Sequence, residues 1–290
     1  MKWRRAGKRD LSELLAFLLH SEWRAVPYTS RLHKQGRKSF PTALEASTLI
    51  CKEGKEIRGT MMLTSTGLLL PAFSSSPEDI RSLPPPPFPG WNDLKLRLYS
   101  IMGPNGEVSW LREQLPMAPV ATVDYNLMVK SRDSSDGTSR ASMPGPPRMI
   151  IRTALPRDIE ALLPLQIRYE LEEVAINKKK HSEQLCRQNL KRMLRRQLVL
   201  MAELNGKVVA KAGTNARGFH TDQIGGVFTV ESQRNSGLAF RVMEELLGRI
   251  FSEKTIACLF VKKNNLPALS LYRKLGFRTV DGYQISYFKT

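Results

Sequence analysis

Gly226-Val-Phe-Thr-Val230, then Gln233-Arg-Asn-Ser-Gly-Leu-Ala239, then an amphipathic run to Phe251 form the stretch whose reading decides the fold. It continues through Ile256-Ala-Cys-Leu-Phe-Val261, Asn265-Leu-Pro-Ala268 and Leu271-Tyr-Arg-Lys-Leu-Gly-Phe277. Val227 to Val230 is a short β-branched and aromatic run between Gly225-Gly226 and the polar cluster Glu231-Ser-Gln-Arg234, the pattern of a buried strand. Val242, Met243, Leu246, Leu247 and Ile250 follow helical spacing, so a helix is expected to start near Gly237. A turn that opens a helix presents unpaired backbone N–H groups and the positive end of the helix dipole, so it can hold a pyrophosphate. Arg234 adds a full charge beside that turn. Asn265 precedes a second, shorter helix carrying Ala268, Leu271, Tyr272 and Leu275, and Gly276 stands where that helix should end.

Taken in order, these landmarks resemble the GNAT family of N-acetyltransferases. The family's signature is a strand, an Arg/Gln-x-x-Gly-x-Gly/Ala turn, a second strand, Asn-x-x-Ala and Tyr-x-x-x-Gly-Phe. The resemblance extends from about Pro147 to the end. Met149-Ile-Ile-Arg-Thr-Ala154 is similar to the family's first strand and Pro156-Arg-Asp158 to the start of its first helix. A second helix is expected between His181 and Arg196. Gln197 to Leu204 and Lys207 to Gly213, joined by Asn205-Gly206, read independently as a hairpin. Ile224 to Val230 and Tyr283 to Phe288 supply further strands. The fold class expected is α/β, with a C-terminal GNAT fold whose central sheet is mixed, mostly antiparallel and flanked by helices.

The resemblance implies roles for individual residues. The backbone of Phe228, Thr229 and Val230 would run beside the pantetheine arm of acetyl-CoA, the implied co-substrate. Arg234, Asn235, Ser236, Gly237, Leu238 and Ala239, with Phe240 behind them, would take the pyrophosphate, and Asn265 would touch the arm from the opposite side. Tyr272 would lie near the thioester sulfur and protonate the departing thiolate, while an amine attacks the acetyl carbonyl directly. His220, Asp222, Glu172, Glu173 and Glu231 all compete for the general-base role, with Glu173 and Glu231 preferred. Small amines, protein N-termini and lysines all remain as acceptors. The connection from Val230 to Gly237 is one residue shorter than is common in the family, and Asn235-Ser236 replaces its usual glycine. That departure keeps a second reading open, a non-catalytic acyl-CoA sensor or pseudoenzyme.

The first half is expected to form a smaller α/β domain over residues 1–130, joined by a Ser/Gly/Pro-rich linker over 131–147 to the acetyltransferase domain at 148–290. Leu11 to His20 reads as an amphipathic helix too short to span a bilayer. Ile57 to Leu63 and Gly67 to Phe73 read as paired strands. Ser76-Pro-Glu-Asp79 reads as a helix start, and Leu98 to Gly103 followed by Glu107 to Leu115 as strand, turn and helix. That half is similar to the degenerate GNAT-like N-terminal half of two-domain bacterial GNAT proteins, especially around Ile101-Met-Gly-Pro104. It lacks an Arg-x-x-Gly-x-Gly turn near Gly103, so its expected task is shaping the acceptor cleft or packing the halves together. Pro84 to Pro87 reads as a stiff connector.

The 290 residues, 41% of them hydrophobic, suffice for two ordinary cores. A net charge of +18 implies a field that attracts polyanions. Its densest run is Lys178-Lys-Lys-His181 with Arg187, Lys191, Arg192, Arg195 and Arg196, which gives a third reading, a basic RNA- or ribosome-associated factor. No zinc pattern or RNA-binding motif accompanies it. Cys51, Cys186 and Cys258 are widely spaced, and with no cleavable leader or membrane span legible, a reducing cytoplasm is expected.

Overall fold

The computed structural model describes residues 1–34, 46–74, 76–87, 98–133, 149–174, 176 and 181–288. Most of the expected linker, and Lys178, Lys179 and Lys180 of the basic run, lie outside the described residues. The N-terminal half contributes β1 (Lys2–Arg5), α1 (Leu11–His20), α2 (Val26–Lys34), β2 (Ala46–Glu53), β3 (Glu56–Thr64), β4 (Leu68–Phe73), α3 (Pro77–Ser82), β5 (Ser100–Pro104), α4 (Asn105–Glu113) and β6 (Ala121–Ser131). The C-terminal half contributes β7 (Met149–Thr153), α5 (Ile159–Tyr169), α6 (Glu183–Arg196), β8 (Val199–Leu204), β9 (Lys207–Arg217) and β10 (Thr221–Thr229). It continues with α7 (Leu238–Phe251), β11 (Ile256–Lys262), α8 (Leu266–Lys274) and β12 (Arg278–Tyr287).

All of these strands lie in one 12-stranded sheet, ordered β1-β2-β3-β4-β5-β12-β6-β11-β10-β9-β8-β7. From either edge inward, five strands follow in chain order and end in a parallel pair, β4 with β5 and β10 with β11. The sixth strand of each half then crosses over. β12 hydrogen-bonds to β5, and β6 lies between β12 and β11. β6 is thus contributed by the first half to the middle of the second, a pairing that sequence periodicity did not reveal.

Alternation along the strands covers both faces of this sheet. Leu200 and Ala202 pack with Val242, Met243, Leu246 and Ile250 of α7, whereas the intervening Val199 and Met201 pack with Leu162 and Leu163 of α5 and Leu190 and Leu194 of α6. Likewise Met61 and Leu69 face Val108 and Leu111 of α4, while Met62 and Leu70 face Leu14 and Leu18 of α1. Each such Val, Leu, Ile or Met side chain contributes about 1.5 to 3 kcal/mol relative to exposure. Ser76 caps α3 through its hydroxyl, which accepts from the Asp79 N–H at 3.0 Å.

Polar locks join the halves where they meet. The buried Glu22 carboxylate accepts the backbone N–H groups of Phe219, His220 and Thr221 at 2.7, 2.7 and 3.0 Å. Arg24 reaches Glu107 at 3.2 Å and Asp281 at 3.5 Å, and burial pushes the Glu107 carboxyl up to about 8 against that pull. In the N-terminal half, β4 and β5 pair only at Leu68 with Ser100 and Leu69 with Ile101. Beyond that pairing Pro71 packs on Gly103 so closely that a Cβ there would meet its Cγ at 2.8 Å.

Candidate active site

The C-terminal parallel pair behaves differently. β10 and β11 are in register only from Thr221 with Ile256 to Ile224 with Leu259, after which they part. β10 stays bound to β9 on its other side, through an irregularity between Gly225 and Phe228, as far as Thr229 opposite Ala210. The Val230 N–H then donates to the Val209 carbonyl at 2.9 Å. Alternation therefore turns the backbone groups of Thr229 toward the gap, where its carbonyl accepts from Arg234 Nε at 3.3 Å.

The turn beyond β10 closes despite its shortness. Glu231–Gln233 forms a single 3-10 turn, Asn235 adopts the left-handed conformation at φ 62°, and Gly237 does so at φ 79° as the N-cap of α7. Asn235 supplies the positive φ that the missing glycine would have given. The first helical bond runs from the Arg241 N–H to the Gly237 carbonyl at 3.1 Å, which leaves Leu238, Ala239 and Phe240 with N–H groups that have no acceptor within the helix. The Arg234 guanidinium lies 5.5 Å from the Phe228 ring centroid.

On the far lip, Asn265 caps α8, its Oδ1 accepting from the Ala268 N–H at 3.1 Å. A π-helical turn, Glu170–Val174, spans both lips. Glu172 pairs with Arg234 at 2.8 Å, while Glu173 accepts from Asn265 Nδ2 at 3.1 Å and lies 3.4 Å from Lys262 Nζ. The structure therefore brings Glu173, Arg234, Asn265 and Lys262 together across the gap.

Tyr272 is 8% exposed and packs edge-on to Phe277 within the α7–α8 core. Burial, with Tyr169 and Glu173 close by, raises its phenol well above the ordinary value, so the hydroxyl keeps its proton at neutral pH. Among the other candidates, Glu231 is exposed at the start of the turn. Asp222 and His220 lie at the opposite end of β10 from the gap. Asp222 is buried and paired with Arg217 at 2.9 Å, and the His220 N–H is held by Glu22. His220 therefore serves the junction of the halves, whereas Asp222 is held in an ion pair within the C-terminal half.

Two residues that sequence reasoning passed over sit beside the irregular part of β10. Lys211 is 1% exposed and donates from Nζ to the Gly226 carbonyl at 2.8 Å, with the Tyr169 ring 4.6 Å away. Burial pushes its ammonium down to about 7, and Glu170 and Cys186 oppose that shift. The Tyr169 hydroxyl hydrogen-bonds to the Gly226 backbone, its ring meets Phe228 edge-on at 6.5 Å, and burial pushes its phenol up to about 12. A lone lysine inside Val208-Val-Ala-Lys-Ala-Gly213 was the available signal. Glu170, His181 and Cys186 hold potential ligand atoms within 4.8 Å of one another, but Glu170 already accepts from Gln166 at 2.9 Å and contacts His181 at 3.1 Å.

The β10–β11 pair thus parts beside the start of α7, with the protonated Tyr272 near Glu173. Residues 165–277, within the C-terminal half, match the model of the acetyltransferase (GNAT) family. No curated protein sequence matches the chain. Solved structures with the same fold run through both halves. One is a Drosophila protein, 14% identical with a TM-score of 0.67, covering 98% of each chain. Another, described as a tandem GNAT protein from the clavulanic acid biosynthesis pathway, is 11% identical with a TM-score of 0.60, covering 98% of this chain and 97% of that one. A GNAT acetyltransferase from Colwellia psychrerythraea is 13% identical with a TM-score of 0.51, both chains being fully covered. At these identities the likeness is one of fold.

Proposed function

We propose that this chain transfers an acetyl group from acetyl-CoA to a primary amine. The observation that carries this reading is the parting of β10 and β11 beyond Ile224 and Leu259, with the N-terminus of α7 close by and Tyr272 near the gap. Phe228, Thr229 and Val230 line the pantetheine arm on one side and Asn265 on the other. The pyrophosphate lies on the turn from Arg234 to Ala239, packed by Phe240 and neutralised by Arg234. The amine nitrogen attacks the acetyl carbonyl carbon, a backbone N–H of β10 holds the oxyanion, and the carbon–sulfur bond breaks. Tyr272 gives its proton to the thiolate, and Glu173 takes the proton lost by the amine.

Glu173 is preferred over Glu231 as the base because Glu173 lies close to Tyr272, whereas Glu231 is exposed on the turn. The division into an N-terminal α/β domain, a linker and a GNAT domain belongs to the same reading. So does a cytoplasmic location, which suits three free, buried cysteines. No helix among the described residues is long and apolar enough to cross a membrane.

The test is acetyl-CoA titration together with turnover on a panel of amines. Tyr272→Phe is expected to lower kcat by about 10²-fold or more while acetyl-CoA affinity holds. An unaffected kcat would remove Tyr272 from the mechanism. Binding without turnover on any amine would favour the sensor reading. RNA binding at near-physiological salt that is lost on charge reversal of Lys191, Arg192, Arg195 and Arg196, with no affinity for acetyl-CoA, would favour the basic-factor reading.

A further inference from the structure

β6 belongs to the N-terminal half, yet it lies against β11, the strand that forms the far lip of the gap. Tyr125 is opposite Lys262 on one side and opposite Tyr283 on the other. Directly opposed residues of an antiparallel pair share a face, so these three side chains share one, and Phe260 and Leu127 continue it. Two contacts fix which face this is. Lys262 reaches Glu173 Oε2 at 3.4 Å and the Glu172 carbonyl at 3.5 Å, and the Phe260 ring stacks on Tyr283 with centroids 3.8 Å apart. Tyr125 therefore stands on the side of the sheet covered by the Glu170–Val174 turn.

Burial raises the Tyr125 phenol, and Tyr287, Tyr169 and Glu173 are near enough to add to the shift. Tyr272 has Tyr169 and Glu173 as the same two neighbours. The charge of one carboxylate, Glu173, thus bears on Tyr125, Tyr169 and Tyr272, and one of the three comes from a different half of the chain. A neutral phenol can donate to Glu173 and accept an N–H from an incoming amine, a pair of roles that neither Lys262 nor Asn265 can fill, since each offers only donors on this side.

We propose that Tyr125 is an acceptor-positioning residue, so that the N-terminal half completes the amine side of a site whose cofactor side is built entirely by the C-terminal half. The proposal rests on the transferase reading above. It gives the crossed strand a functional consequence, since that strand sets Tyr125 opposite Lys262, whose Nζ lies 3.4 Å from Glu173.

The experiment compares full-length wild type with Tyr125→Phe, measuring acetyl-CoA Kd by calorimetry, thermal midpoint, and kcat and KM for an amine the wild type acetylates. The expected result is about a tenfold rise in amine KM, equivalent to about 1.4 kcal/mol, with acetyl-CoA Kd and thermal midpoint unchanged. An unchanged amine KM in a folded variant overturns the proposal, as does an equal loss of acetyl-CoA affinity. A wild type that acetylates no amine refutes the transferase reading instead. In that event 3-fluorotyrosine at position 125 decides separately. Its fluorine resonance is expected to shift when an amine of the panel is added to CoA-saturated protein, and a resonance unmoved by every amine overturns the assignment.

Discussion

Asn235 and Lys211 mark what single residues contribute here. Asn235 carries a left-handed φ of 62° in a turn one residue shorter than the family's common form, so the loop still reaches Gly237 without its usual glycine. That outcome was legible, because asparagine is among the few side chains that tolerate this conformation. Lys211 was not legible as a site residue, since a single lysine in a strand reads as a solvated position until the facing strand is known. Its titration has a definite sign. The unfolded lysine holds its proton up to about 10.4, whereas burial lowers the folded value to about 7, so between them the unfolded chain binds the extra proton. The stability contributed by the neutral amine is fully present above about pH 10.4 and declines as pH falls toward 7, by roughly 1.4 kcal/mol per unit. Lys211→Met removes this dependence. Urea midpoints are expected to favour the variant over wild type by more at about pH 6.5 than at about pH 9.5, and a pH-independent difference would contradict the buried ammonium.

At the scale of elements, the long periodic segments and the apolar runs of β4 and β11 were readable, whereas the half-exposed β6 was not. α1 and α7, and the β8–β9 hairpin, announced themselves through spacing and through Asn205-Gly206. β6 did not, because Asp124 and Asn126 interrupt its apolar pattern. Asp124 finds its partner only in the assembled sheet, accepting from Gln284 Nε2 at 2.8 Å. β1, β2 and α2 were likewise unread, and Pro27 in the first turn of α2 was the one cue available there.

The Glu170–Val174 turn is the element with the clearest energetic role. Its Glu172 pairs with the Arg234 guanidinium, so under the proposed function the turn and the phosphates of acetyl-CoA compete for one cation. Because this pair is nearly half exposed on both sides, its worth is under about 1 kcal/mol. Glu172→Gln is therefore expected to tighten acetyl-CoA binding by about threefold. Arg234→Ala is expected to weaken it by about tenfold or more, and the second substitution should abolish the effect of the first. Calorimetric titration of the three variants checks the cycle, and a Glu172→Gln variant with unaltered affinity would mean that the pair does not guard the turn.

For the whole molecule, the order β5-β12-β6-β11 makes each half depend on the other's last strand. A fragment covering 149–290 leaves β11 without one neighbour and β12 without both of its own, and thus exposes three unsatisfied edges. Expressed alone it is expected to associate with itself or precipitate. Co-expressed with 1–133 it is expected to elute as a one-to-one complex. A monomeric, cooperatively melting 149–290 fragment would show that the crossed strands are dispensable.

The central place of β6 also bears on synthesis. Tyr125 finds its partners only at Lys262 and Tyr283, near the far end of the chain. A ribosome adding about 5 to 20 residues per second needs on the order of ten seconds or more between emitting β6 and emitting those strands. During that interval an incomplete sheet carries a bare strand with no lawful neighbour, and contacts this distant in sequence close slowly even after release. The feature that ties the two halves together when folded is thus the one that cannot form until the chain is nearly complete.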